Sequence, residues 1–103
     1  MTYEAVIDAL ANSTRRAIVE RLKAGPCAAG ELASALPVSQ PAVSQHLGVL
    51  KTARLVRETR AGTRRIYRLD PDGMIALRAW LDGFWNEVLQ SYREALEKDE
   101  PTS

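Results

Sequence analysis

The stretch Ser39-Gln40-Pro41-Ala42-Val43-Ser44-Gln45-His46-Leu47 has the pattern of a helix with a defined start and two different faces. Ser39 is placed to cap the helix, and proline at position 41 falls in the first turn, where its missing N–H is no loss. Carried on to Thr52, the helix has apolar residues at positions 43, 47 and 50, the i, i+4, i+7 spacing of a buried side. The pattern predicts a helix over 40–52 that packs on a core.

The other face of this helix has an unusual composition. It has no acidic residue and presents short hydrogen-bonding side chains with glycine among them: Gln40, Pro41, Ser44, Gln45, Gly48 and Lys51. Gln and Ser side chains can hydrogen-bond to the edges of bases, and a helix fits the major groove of DNA. We interpret 40–52 as a DNA recognition helix; the alternative is a plain polar surface.

Three short helices are predicted before it. Tyr3, Val6, Ile7 and Leu10 form one apolar stripe at i, i+3, i+4 and i+7. A second helix over 14–24 follows the capping pair at 12–13 and ends at a glycine. A third covers 29–36 and ends before Pro37, so the segment 37–39 is a turn between two helices.

Two β-prone runs, 55–60 and 65–69, follow the recognition helix and flank a short loop that contains glycine. This is the signal of a β-hairpin. Its tip is basic, and arginine at such a tip can reach phosphates or a minor groove. The predicted contact residues of this hairpin are Arg60, Thr63, Arg64 and Arg65.

A long helix is predicted over 71–97, with Asp70 as its cap and Pro71 at its first position. Its apolar stripe is wide and aromatic, and a chain of 103 residues has little core left to cover it. We therefore expect the first and last helices to form a twofold dimer interface; the alternative is that the last helix packs wholly within its own chain. The predicted interface residues are Tyr3, Val6, Ile7, Leu10, Leu77, Trp80, Leu81, Phe84, Trp85 and Val88.

Charge is divided unevenly along the chain. Residues 1–69 hold eleven Lys and Arg against five Asp and Glu, a net charge of +6, whereas residues 70–103 hold three against eight, a net charge of −5. A concentrated basic stretch predicts a site for a polyanion. The composition, 46% hydrophobic and 26% charged, is that of a folded domain. We expect one domain over 1–97 and a polar tail over 98–103.

Several function classes are disfavoured. The length is too small for large cofactor-binding folds, and no nucleophile–base pair or paired acids suggest an enzyme. A single cysteine allows no internal disulfide. No apolar run reaches the roughly 18 residues of a membrane span, and the N-terminus lacks a signal-peptide pattern. We expect a cytoplasmic protein with no membrane partner.

The motifs together resemble the ArsR/SmtB family of small dimeric bacterial repressors. The matching residues are Ala9-Leu10-Ala11-Asn12-Ser13-Thr14-Arg15-Arg16, Glu31-Leu32-Ala33, the run 39–47, Leu50-Lys51 with Leu55-Val56, and the hairpin segment 64–69. The resemblance covers residues 3–97 and implies a mainly α-helical winged helix-turn-helix with five helices and a two-stranded wing. It also implies a homodimer on a pseudo-palindromic operator in double-stranded DNA, with half-sites about one helical turn apart.

The resemblance assigns roles to individual residues. Gln40, Ser44 and Gln45 would face bases and neighbouring phosphates, and proline at 41 would leave one hydrogen bond of the family unmade. Arg64 and Arg65 would contact the backbone or minor groove. Arg15 and Lys51 are candidate phosphate contacts, and His46 would hold the recognition helix to its scaffold or to a phosphate. The full set on this helix is Ser39, Gln40, Pro41, Ser44, Gln45, His46 and Lys51.

The chain departs from the family's metal sensors. These carry cysteine clusters or His, Asp and Glu ligands, whereas this chain has one cysteine, Cys27, and one histidine. We expect no metal and no cofactor. Cys27 is interpreted as a packed cysteine, with an intermolecular or single-thiol switch as the alternative. The effector is left open between a small molecule, a protein partner and none.

Two further departures concern helix ends. Many relatives have glycine where this chain has Arg54, which must therefore adopt a left-handed conformation or change the cap. Ala28 lacks the hydroxyl that often caps the third helix.

Taken together, the motifs and the resemblance predict a DNA-binding repressor of its own or a neighbouring operon. The alternative is a winged-helix module that binds another protein.

Overall fold

The computed structural model describes residues 2–99, and this part of the chain contains five helices and three short strands. The helices are α1 (Tyr3–Leu10), α2 (Ser13–Leu22), α3 (Ala29–Ala35), α4 (Gln40–Thr52) and α5 (Pro71–Asp99), and the strands are β1 (Cys27–Ala28), β2 (Val56–Ala61) and β3 (Arg64–Leu69). The predicted winged helix-turn-helix is confirmed. Helix α5 extends two residues beyond its predicted end, and the rest of the predicted tail, 100–103, lies outside the described residues.

Helix starts are fixed where the sequence predicts side-chain caps. The Arg15 N–H donates to Asn12 Oδ1 at 3.0 Å, and the Ala42 N–H donates to Ser39 Oγ at 3.3 Å. The Asp72 N–H donates to Asp70 Oδ1 at 3.0 Å, which starts α5. No side chain caps α3 at Ala28, as expected from its missing hydroxyl. Each capped start contributes about 1 kcal/mol and sets the direction of its helix.

The core lies between α4, the other short helices and the sheet. Leu47 and Leu50 of α4 are at most 1% exposed, and Ile18 and Leu32 from α2 and α3 are fully buried. The remaining buried hydrophobic residues are Val6, Ala9, Leu22, Cys27, Val43, Ala53, Leu55, Val56 and Tyr67. Because α4 buries the side that the i, i+4, i+7 spacing predicts, its other face is turned to solvent.

The wing is a three-stranded antiparallel sheet in the order β1-β3-β2. Strands β2 and β3 pair from Val56↔Leu69 to Ala61↔Arg64 around a two-residue turn, where Gly62 has φ 66°. Strand β1 was not predicted: it pairs Cys27 with Tyr67 and has no alternating pattern of its own. This third strand ties the start of α3 to the wing.

The connection from α4 to β2 depends on an unusual backbone conformation. Arg54 has φ 60°, the left-handed conformation that was one of its two predicted options. Its carbonyl accepts a hydrogen bond from the Gly73 N–H at 2.8 Å. The end of the recognition helix is therefore held against the first turn of α5.

Arg54→Gly is expected to raise the free energy of unfolding by about 0.5–1 kcal/mol. A left-handed residue with a β carbon is strained, and glycine removes that strain at some cost in unfolded-chain entropy. Arg54→Ala is the matched control, since it also removes the guanidinium but keeps the β carbon. Chemical denaturation of the three proteins gives the comparison, and equal stabilities for the glycine and alanine variants would contradict the expectation.

Helix α5 extends well beyond the rest of the protomer. The molecule measures 74 × 25 × 21 Å, and the first half of α5 packs on α1, where Tyr3 stacks on Trp80 with ring centroids 4.9 Å apart. Past this contact its apolar side chains are largely exposed: Leu81, Phe84, Trp85, Val88, Tyr92 and Leu96. No helix in the described residues has the length and apolarity that a membrane span requires.

The predicted dimer-interface residues differ in how much of their surface the protomer itself covers. Leu77 and Trp80 are half-buried against their own protomer, and Ile7 is exposed. Val6 is fully buried in the protomer core, so it has no surface left for a partner. The stripe that predicted it did not separate residues that face the core from residues that face outward.

Candidate nucleic-acid interface

The exposed face of α4 presents the residues that the sequence singles out. Ser39, Gln40, Pro41, Ser44, Gln45 and Lys51 are all exposed, and His46 is half-buried. Gly48 has no heavy atom within 4 Å of where a β carbon would stand. The face is polar, free of acids and open enough for close approach by a large partner.

The wing and the recognition helix line one open cleft. Gln40 and Ser44 of α4 form part of its wall together with Thr63, Arg64 and Arg65 of the wing. Arg60 is the cross-strand partner of Arg65 and is also exposed. The fold thus brings hydrogen-bonding side chains suited to base edges next to guanidinium groups suited to phosphates.

One carboxylate links the recognition helix to the wing. Glu58 Oε1 accepts hydrogen bonds from Tyr67 Oη at 2.9 Å and from Lys51 Nζ at 3.4 Å. The Tyr67 hydrogen bond is the main reason that the pKa of Glu58 lies below its usual range; partial burial opposes it, and the Lys51 ammonium adds to it. Burial and the neighbouring Glu58 raise the pKa of Tyr67. Lys51 is therefore already ion-paired with Glu58 within the protein, and a contact with a DNA phosphate would have to replace or share this pair.

A second carboxylate reaches the wing from α3. Glu31 Oε1 accepts a hydrogen bond from Arg64 Nη2, and the Cys27 thiol lies 3.7 Å from Glu31 Oε2. Neither Glu31 nor Tyr67 was predicted as an interface residue from the sequence. Glu31 is one of five acidic residues in 1–69, and its partner Arg64 is 33 positions away in sequence, so no local pattern marks the pair.

Arg15 lies away from the cleft. Its Nε donates to the Ala9 carbonyl at 2.6 Å and its Nη2 to the Asp8 carbonyl at 3.2 Å, so the guanidinium caps the C-terminal end of α1. Its Nη1 is 3.4 Å from His46 Nδ1 on α4. Arg15 and Gln45 share a separate groove between α1 and α4. The geometry gives Arg15 a structural task that the sequence did not predict, joining α1 to the recognition helix.

Groups that could hold a metal are sparse. No set of three or more His, Cys, Asp or Glu within the described residues is arranged to hold a metal ion. Cys27 is buried in the core, and this burial is the main reason that the pKa of its thiol is raised, which disfavours the thiolate that metals bind.

Comparison with known proteins supplies close relatives. A protein-family sequence model described as a helix-turn-helix domain matches residues 10–59. The chain is 63% identical to the HTH-type transcriptional regulator Rv2034 of Mycobacterium tuberculosis over 91 residues, which are 88% of this chain and 85% of that protein. It is 32% identical to the arsenic resistance transcriptional regulator ArsR1 of Pseudomonas putida over 100 residues, covering 96% of this chain and 75% of the relative.

A solved structure matches as well. It is the solution NMR structure of the homodimeric winged helix-turn-helix DNA-binding domain of Mb0332 from Mycobacterium bovis, described as a possible ArsR-family transcriptional regulator. The two share 32% identity with a TM-score of 0.64, over 85% of this chain and 82% of that one. These matches are regulators of transcription rather than enzymes. The present chain belongs to the ArsR/SmtB family of winged helix-turn-helix transcriptional regulators.

Proposed function

We propose that the protein is a homodimeric repressor that binds a pseudo-palindromic operator of its own or a neighbouring operon. The observation that carries the proposal is the shared cleft, in which Gln40 and Ser44 of the recognition helix adjoin Arg64 and Arg65 of the wing. The helix would read base edges in the major groove while the wing holds the backbone. A dimer bound across promoter DNA would block access of the transcription machinery.

The exposed half of α5 supports the dimer. Six large apolar side chains beyond residue 80 lie in the open in a single protomer, and a monomer rarely leaves so continuous an apolar strip in water. The Mb0332 domain, which has a similar fold, is described as homodimeric. Twofold pairing through α1 and α5 would present two recognition helices to two half-sites.

Regulation without a metal is part of the proposal. The relative from Pseudomonas putida is a regulator of arsenic resistance, but the described residues of this chain offer no three-ligand group. Soft metals need several thiolates or imidazoles that converge on one point. We propose that DNA binding responds to no metal at the family's usual sites, and no cofactor is needed.

Fluorescence anisotropy tests this function directly. The purified protein is titrated into DNA from upstream of its own gene and into a scrambled duplex, at two salt concentrations, with zinc, a chelator or a reductant in parallel. We expect tight, salt-sensitive binding that prefers one sequence and is unchanged by these additives. If this DNA shows no preference and a genome-wide selection also yields no preferred site, the protein-interaction module becomes the better interpretation.

Gln40→Ala combined with Gln45→Ala is expected to reduce the preference for operator over scrambled DNA. Each amide that reads a base contributes about 1–3 kcal/mol of discrimination, so specific binding falls by at least about tenfold while non-specific binding changes little. Gln90→Ala on the exposed surface of α5 serves as the control. Equal losses on both duplexes would contradict a base-reading role.

Arg64→Ala combined with Arg65→Ala is expected to weaken binding to every sequence. Each lost phosphate contact lowers the slope of log K against log salt by about 0.9, so the double variant loses up to about two units of slope. The control is Arg78→Ala with Arg93→Ala, which removes the same charge from the exposed surface of α5. An unchanged slope would exclude the wing from the interface.

A further inference from the structure

Glu31 occupies an unexpected position for an acidic residue. It lies in the first turn of α3 and is the one acidic residue among the described residues that line the cleft between α3, α4 and the wing. A carboxylate there would repel the phosphates that Arg64 and Arg65 are proposed to bind.

The carboxylate is held by two groups. Arg64 Nη2 donates to Oε1, and the Cys27 thiol lies beside Oε2. Cys27 itself is fixed in β1, which pairs with β3, and Arg64 begins β3. The short third strand of the sheet thus places the carboxylate and the guanidinium opposite each other.

The ion pair is open to solvent and can exchange partners. The side chains of Arg64 and Glu31 are 60% and 52% exposed, and ion pairs exposed to this degree contribute little to stability. A DNA phosphate is an equivalent acceptor for the same guanidinium, since arginine binds carboxylate and phosphate oxygens with one geometry. The pair is therefore weak enough to open when a phosphate takes its place.

We infer that Glu31 limits DNA affinity by competing with phosphate for the Arg64 guanidinium. This inference rests on the proposed function, because it requires that the wing contact DNA. In free protein Arg64 is already neutralised, so binding must open the pair and leave a carboxylate close to the backbone. The cost is the same for every sequence, so Glu31 sets overall affinity and salt dependence while leaving sequence preference unchanged.

The test is Glu31→Gln, which keeps the size of the side chain and removes its charge. On a labelled duplex of mixed sequence, affinity is expected to rise roughly two- to fivefold, and the salt slope to steepen by up to about one unit. The ratio of operator to mixed-sequence affinity should stay constant. A fall in affinity would overturn the inference, because Glu31 would then orient Arg64 for phosphate rather than compete with it.

Glu20→Gln is the matched control. Glu20 forms a comparably exposed ion pair with Lys23 at 3.2 Å on α2, and it does not line the cleft. The same gain in both variants would attribute the effect to net charge alone and overturn the inference. If the unmodified protein itself shows no salt-sensitive binding to duplex DNA, the proposed function fails first, and the two failures are thereby distinguished.

A double-variant cycle tests whether Glu31 acts through Arg64. In an Arg64→Gln background, Glu31→Gln is expected to give a clearly smaller gain in affinity, because the competed guanidinium is absent and only the repulsion between the carboxylate and DNA remains. A gain of the same size in that background would show direct repulsion between the carboxylate and DNA and would overturn the competition. Thermal unfolding of each variant confirms that the compared proteins are folded.

Discussion

Gly73→Ala is expected to lower the free energy of unfolding by about 3 kcal/mol or more. This loss is a large share of the total stability of a small domain. A β carbon at this position would stand 2.7 Å from both the Ala53 and Arg54 carbonyl oxygens and 3.0 Å from the Arg54 carbonyl carbon. These neighbours are backbone atoms at the strained end of α4, so they cannot rotate away as a side chain would. The hydrogen bond from the Gly73 N–H to Arg54 would also be lost.

Gly83→Ala supplies the matched control for this result. Gly83 lies in the same helix with no heavy atom within 4 Å of its β carbon position, so alanine there is expected to stabilise by up to about 1 kcal/mol through helix propensity. Urea denaturation of both variants measures the difference. If the two variants were equally stable, the close packing of α5 on the end of α4 would be contradicted.

The importance of Gly73 was not visible in the sequence, although much of the fold was. The sequence predicted α4 at its observed bounds, because Ser39, Pro41 and the apolar spacing all act locally. From the sequence alone, the segment 70–73 indicates only the start of a helix. The contact of Gly73 with Arg54 depends on where two helices meet in space, and β1 likewise exists only because β3 lies beside it.

The candidate interface likewise combines residues that the sequence predicts with contacts that depend on the folded structure. Gln40, Ser44, Arg64 and Arg65 were predicted from composition and resemblance, and the fold places them on one cleft. Glu31 was missed because its partner is distant in sequence. The hydrogen bonds of Arg15 to backbone carbonyls could not be predicted, since a basic residue near a DNA-binding helix suggests a phosphate contact first.

Trp85→Glu is expected to convert the proposed dimer to a monomer and to reduce operator affinity by at least about a hundredfold. In the protomer this indole is 57% exposed on the apolar stripe of α5, so burying it against a partner would remove a large apolar surface from water. A carboxylate there would have to be buried unpaired, at a cost of several kcal/mol. A monomer carries one winged domain. It therefore loses the high effective concentration at which a dimer, once bound to one half-site, engages the second.

The adjoining residue provides the control that decides the interpretation. Asn86 is exposed and, one position further along the helix, points about 100° away from Trp85 and off the apolar stripe. Asn86→Glu adds the same charge to the same helix and is expected to leave both the dimer and the operator affinity unchanged. Light scattering reports the oligomeric state and anisotropy the affinity. A dimer that survives Trp85→Glu would place the interface elsewhere, whereas a monomer that still bound the operator at full affinity would show that each protomer recognises DNA without its partner.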